Sequence, residues 1–131
     1  MMNYLYYDYA ISKICVVTDK ETIFHETTSL NRYINHLCLE NGSSLEGRKD
    51  SFRHMFPRKK HIPIYVHANL FLVPFPDKRF INYFSIRKVK QSKNEFEIFF
   101  KDNTSLKTDR VSQMTTTLLH ASQFIKIIRA S

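Results

Sequence analysis

The run Glu95-Phe96-Glu97-Ile98-Phe99-Phe100-Lys101 decides how this chain is read. Phe96, Ile98 and Phe100 alternate with Glu95, Glu97, Phe99 and Lys101, and a period of two sends the two sets to opposite faces of a half-buried strand. The neighbouring sequence supplies its partners. Ile81–Val89 is a second extended run, reached through the polar turn Gln91-Ser92-Lys93-Asn94. Asp102-Asn103 makes a tight turn into Ser105–Lys107. Upstream, Ile64–Val66 and Leu70–Val73 read as short strands joined across His67-Ala68-Asn69. The first quarter is also extended: Tyr4–Tyr9 is aromatic, Lys13–Thr18 is β-branched, and Thr22–His25 follows the hairpin punctuation Asp19-Lys20-Glu21.

Three segments break this pattern with helical spacing. Leu30, Tyr33, Ile34 and Leu37 form one apolar face, with Thr28 or Ser29 available as N-cap and Asn41-Gly42 as the stop. Ser43 or Ser44 can open a second helix running to about Phe56. It carries Leu45, Phe52 and Phe56 on one side and Lys49 and Arg53 on another, and Pro57 ends it. From about Val111 to Ile128, the residues Val111, Met114, Leu118, Ala121, Ile125 and Ile128 repeat at alternating threes and fours, and Phe124 and Ile127 widen the face. Two and a half heptads are too few for a coiled coil, so a helix packed on the sheet is expected. The expected architecture is α+β: a mainly antiparallel sheet with about three helices, one of them C-terminal. A length of 131 residues corresponds to one domain spanning the whole chain.

The charge is unevenly distributed. Residues 1–47 hold three basic and six acidic side chains, whereas residues 48–131 hold seventeen basic and six acidic ones, so the excess of +8 comes entirely from the later part. Such asymmetry makes one part of the molecule an anion-seeking surface. Two cysteines, Cys15 and Cys38, do not make a disulfide framework and are read as free cytosolic thiols. The N-terminus lacks the basic and apolar regions of a signal peptide, and no window approaches 18 consecutive apolar residues. A cytoplasmic, nucleoid-associated protein without a membrane partner is expected.

The sharpest local signal is basic. Arg48, Lys49, Arg53, Arg58, Lys59 and Lys60 stand within thirteen residues, with His54 and His61 among them and Asp50 as the one acid. Free N–H groups of a first helical turn, with the Ser43 and Ser44 hydroxyls, would add an anion seat. Six phosphate contacts would give a salt slope of roughly −5 in log K against log salt. Other chemistries fit less well. Gly42 and Gly47 have phosphate-loop spacing, but Arg48 and Lys49 replace the Lys and the Ser or Thr that such a loop needs. Pro76-Asp77 with Glu95-Phe96-Glu97 faintly suggests a metal-dependent nuclease, yet Phe99 stands where a lysine is expected. His36-Leu37-Cys38 lacks a second ligand pair for zinc. No catalytic residue, metal, cofactor or small-molecule substrate is therefore assigned. Tyr83, Phe84, Phe96, Phe99 and Phe100, interleaved with Arg87, Lys88, Lys90 and Lys101, leave open a binder of single-stranded DNA or RNA that stacks bases on a sheet, although Phe at strand spacing is more often core.

Gly42-Ser43-Ser44, followed by Gly47-Arg48-Lys49, resembles the signature of the competence transcription factor (ComK) family. The resemblance continues through Ile62-Pro63-Ile64-Tyr65-Val66, Leu70-Phe71-Leu72-Val73-Pro74, the strand from Ile81, the hairpin near Asp102-Asn103, and Ser112 to Ile127. It covers about residues 28–128. It implies a transcriptional activator of DNA-uptake genes that binds A/T-rich promoter boxes, largely through the minor groove, as paired dimers. Carried over by motif position, Ser43, Ser44, Arg48 and Lys49 are the DNA-binding candidates; Arg53, Arg58, Lys59 and Lys60 extend that set by charge. Phe80 stands where the family often has Trp. The chain stops at Ser131, where fuller members continue, so a short form is expected.

Overall fold

The structure is a computed structural model and describes residues 1–27 and 29–130. The chain opens with three strands, β1 (Met2–Asp8), β2 (Lys13–Thr18) and β3 (Thr22–His25), followed by helices α1 (Leu30–Glu40) and α2 (Leu45–Met55). Strands β4 (Ile64–His67), β5 (Leu70–Phe75) and β6 (Arg79–Asn82) come next. A single 3₁₀ turn (Tyr83–Ser85) leads into β7 (Ile86–Gln91), β8 (Phe96–Phe100) and β9 (Ser105–Thr108), and α3 (Val111–Ala130) ends the fold. A six-stranded sheet has the order β3-β2-β1-β6-β5-β4 and a three-stranded sheet the order β7-β8-β9, with every recorded pairing antiparallel. The fold is α+β, as the alternation of periods two and 3.6 predicts.

Local chemistry accounts for most boundaries. Ser29 caps α1 by accepting the Arg32 N–H at 3.1 Å; the other candidate cap, Thr28, lies outside the described residues. Ser44 caps α2 by accepting the Gly47 N–H at 3.0 Å, and Pro57 follows the C-cap Phe56. In the Asp19-Lys20-Glu21 turn, the Thr18 N–H donates to the Glu21 carbonyl at 2.8 Å, closing the β2–β3 hairpin. In β8, Phe96, Ile98 and Phe100 are buried, while Glu97 and Phe99 face the other way.

The long extended run expected over Ile81–Val89 does not form. The chain leaves the six-stranded sheet at Asn82, makes one 3₁₀ turn, and enters the second sheet at Ile86. Asn82 causes the break. Its fully buried side chain accepts the N–H groups of Phe71 (3.1 Å) and Phe84 (3.2 Å) through Oδ1 and donates to the carbonyls of Met2 (2.9 Å) and Asn69 (3.1 Å) through Nδ2. The Ser85 hydroxyl donates to the Asn82 carbonyl at 2.8 Å, and the Ser85 carbonyl receives the Lys101 N–H at 3.0 Å. Strands from both sheets are thus tied to one polar knot. Asn3, also buried, adds a link by donating to the Asp102 carboxylate at 2.9 Å.

The core joins helices to sheet through aromatic side chains. Phe52 of α2 lies 4.9 Å from Phe124 of α3, and Phe124 lies 6.0 Å from Phe71 of β5. Leu70, Phe71, Leu72 and Val73 are all buried, which identifies β5 as a strand covered on both faces. Along α3 the buried positions are Met114, Thr117, Ala121, Phe124 and Ile125. Ile127, expected to widen this face, is instead 55% exposed, because the buried stripe rotates through Thr117 and Phe124. Cys15 and Cys38 are both free and buried.

Replacing Asn82 by Ala should strand the buried Phe71 N–H and remove the partner of three part-buried backbone groups. At about 1–3 kcal/mol for each unsatisfied buried group, urea unfolding should show a loss of about 3 kcal/mol or more. A loss below about 1 kcal/mol would mean that solvent reaches the knot.

Candidate nucleic-acid interface

The Gly-Ser-Ser segment builds a helix–helix corner. Gly42 has φ +96°, a left-handed conformation that glycine adopts without a Cβ penalty. It lies just past the Asn41 C-cap, and its N–H donates to the Leu39 carbonyl at 3.3 Å. Ser43 N–H donates back to Cys38 at 3.2 Å. From α1, Asn35 accepts the Leu45 N–H at 2.9 Å and so fastens the start of α2. A Cβ on Gly47 would meet Ser43 Oγ at 2.5 Å and Ser44 Oγ at 3.3 Å, so a larger residue here would make the Ser43 hydroxyl turn away.

This geometry uses the groups expected to seat an anion. The N–H groups of Leu45, Gly47 and Arg48 are taken by Asn35, the Ser44 hydroxyl and the Ser44 carbonyl, and Glu46 adds a negative charge to the first turn. Arg48 also faces inward. Its Nη2 donates to the carbonyls of Asn41 (2.7 Å) and Val66 (3.3 Å), and its Nε is buried without a hydrogen-bond partner. Burial raises the Cys38 thiol above its ordinary pKa, an effect opposed by the adjacent guanidinium. Arg48 therefore straps α1, α2 and β4 together.

The cations further along the chain are placed differently. Lys49, Arg53, Lys60 and His61 line one hollow of about 230 Å³ between α2 and the sheet, floored by Ile34, Leu45, Ile62, Ile64 and Phe80. His61 also borders a second hollow, with Lys78, Arg79, Arg110 and Gln113, and a third, with Arg58, Lys59 and Lys60. The three share His61, and their linings together make a basic furrow in which Asp77 is the one acidic side chain among the described residues. Lys49 pairs with Glu46 at 3.7 Å, Arg53 with Asp50 at 3.5 Å and Arg79 with Asp77 at 3.6 Å. Each acid is largely exposed, so these pairs contribute little and can be exchanged for phosphate. Lys59 is half-buried and donates to Thr117 Oγ1 at 2.9 Å, and burial lowers its pKa. Lys78, Arg79 and Arg110 are not among the candidates that the sequence offers, and His61 stands there only as a neighbour of the basic run. Distance along the chain hides Lys78, Arg79 and Arg110, and only the β5–β6 turn and the start of α3 bring them to the furrow.

The other chemistries find little support in the geometry. Gly42–Lys49 joins two helices rather than a strand and a helix. Asp77 lies in the β5–β6 turn, whereas Glu95 and Glu97 pair with Lys107 beside the second sheet. Among the aromatics considered for base stacking, Phe96 and Phe100 are buried, and Tyr83 and Phe84 pack with Phe71. Phe99 lies on the outer face beneath Lys88 and Lys90, at 5.0 and 5.3 Å.

Arg48→Ala should leave two carbonyls without their charged donor. Urea unfolding should then show a loss of about 2 kcal/mol, and Arg48→Lys should recover only part of it, because the lysine chain ends one atom short of the position of Nη2. Full stability in Arg48→Ala would contradict the strap.

No curated protein and no solved structure matches the chain. The family described as ComK protein matches residues 2–130, nearly the whole molecule and through every element of both sheets. By that match, this chain is a member of the ComK family of competence transcription factors.

Proposed function

We propose that the chain is a non-enzymatic activator of DNA-uptake genes that binds A/T-rich duplex DNA, largely through the minor groove, as a single-domain protein acting in homodimers at the nucleoid. The observation that supports duplex contact is the convergence of Lys49, Arg53, Lys60 and His61 on one hollow that continues past His61 to Arg58, Lys78, Arg79 and Arg110. A narrow A/T minor groove concentrates negative potential and draws in such side chains. Lys49, Arg53, Arg58 and Lys60 contact phosphate or the groove directly. Lys59 contributes from a recessed position. Ser43, Ser44 and Arg48 act through the corner that sets the angle of α2, and Ser43 and Ser44 remain candidates for contact at its half-exposed edge. Single-strand stacking is the weaker reading, because the sheet aromatics are mostly packed inside.

The test combines charge and base identity. An Arg53→Gln, Arg58→Gln, Lys60→Gln variant should bind an A/T-rich duplex more weakly, with a salt slope shallower by about 2.7 if each residue meets one phosphate. Replacing A·T pairs by I·C, which alters the major-groove edge and keeps the minor-groove pattern, should preserve affinity, whereas G·C should weaken it by about 1–3 kcal/mol per critical pair. An unchanged slope would remove the furrow from the interface, and loss of affinity with I·C would move recognition to the major groove.

A further inference from the structure

A groove of about 740 Å³ separates the Met55–His61 segment from α3. That volume lies within the roughly 300–1,000 Å³ of small-molecule sites. Phe56 and His120 stack face on face in its lining, with centroids 4.4 Å apart and planes 22° from parallel, beside Met55 and Pro57. Its polar groups are donors and hydroxyls: Arg58, Lys59, Lys60, His61, Ser112, Gln113, Thr116 and Thr117, with no carboxylate in the lining.

Two groups in this groove are unsatisfied in a specific sense. Lys59 is half-buried, and among the described residues its ammonium bonds to the neutral, fully buried Thr117 hydroxyl at 2.9 Å. His120 Nδ1 is buried with no hydrogen-bond partner among the described residues. A buried cation needs a counter-charge and a buried polar atom needs a partner. The phosphates of a duplex can meet Arg58 and Lys60 at the rim. Lys59 and His120 are set against neighbouring side chains, Lys59 on the Thr117 hydroxyl and His120 on the Phe56 ring.

We propose that this groove binds a small phosphorylated molecule with a flat aromatic body, of mononucleotide size. The phosphate is held by Lys59 with Arg58 and Lys60, and the ring adds to the end of the Phe56–His120 stack. Flat rings offset-stack on such a surface, and the lysine charge favours the phosphoryl dianion. Because this groove is one of the three hollows of the furrow, its occupancy would report directly on the proposed DNA-binding face.

Adenosine monophosphate, adenosine and inorganic phosphate, titrated separately into the full chain without DNA, test this assignment by calorimetry and by the His120 and Thr117 resonances. The monophosphate should bind at least about tenfold more tightly than either fragment and should move both resonances. Lys59→Gln, and separately Thr116→Phe at the exposed mouth of the groove, should each weaken it by about tenfold or more while the thermal unfolding midpoint is kept. No binding of the monophosphate up to about 5 mM, inorganic phosphate binding equally well, or binding unaffected in both folded variants would each overturn the proposal. Because no DNA is present, none of these outcomes depends on the duplex reading.

Discussion

The fold depends on a polar side chain placed where a hydrophobic one would ordinarily sit. Asn82 has no exposed surface and makes four hydrogen bonds to backbone groups of β1, β5, the β4–β5 turn and the 3₁₀ turn. The Phe71 N–H would otherwise be a buried orphan and the other three groups are part-buried, and a satisfied network of this kind specifies a single arrangement. The consequence is geometric. The chain must turn at Asn82, so the residues after it cannot extend the six-stranded sheet and instead found a second one. That placement brings Tyr4 of β1 against Phe100 of β8, with ring centroids 5.8 Å apart, and sets α3 to return over β5, where Phe124 meets Phe71. The start of α3 supplies Arg110 and Gln113 to the basic furrow.

A second constraint acts at the corner between α1 and α2. The glycines and serines there are explained by helix ends: a left-handed turn at Gly42, a cap at Ser44, and a close approach of the Ser43 hydroxyl to Gly47. Arg48 completes the corner from beneath. Residues that a motif presents as ligand-facing can thus set the pose of the element that carries the ligand-facing charges. Here they fix the roll of α2, so that Lys49 and Arg53 meet Lys60 and His61 across one hollow.

This division explains which features were legible in the sequence. Period-two and period-3.6 patterns marked the strands and helices within a few residues, because burial of one face is written in every second or every third and fourth side chain. Phe96, Ile98 and Phe100 are buried as their alternation requires. The Ile81–Val89 run was misleading because Asn82 and Ser85 look like ordinary polar interruptions until their long-range partners, Met2, Asn3 and Lys101, are known. Ile127 fits the α3 seam by spacing, yet the helix turns its Thr117 and Phe124 side inward. At the candidate site, charge alone found the basic run, but charge does not reveal direction. Arg48 and Lys59 look like their neighbours in sequence and differ in space because carbonyls and the Thr117 hydroxyl lie within reach. The converse holds for Lys78, Arg79 and Arg110, which join the furrow through β-turn and helix placement that no local window contains.

The central claim is that the cations converging on His61, rather than the basic outer face of the second sheet around Lys88 and Lys90, meet the duplex. Amide hydrogen exchange of the full chain, with and without an A/T-rich duplex, places contact along the backbone without altering any side chain. Protection concentrated in residues 43–61 and at the start of α3, with β7–β9 unchanged, is the predicted result. Protection confined to β7–β9, with α2 and the loop after it exchanging as in the free protein, would contradict the account.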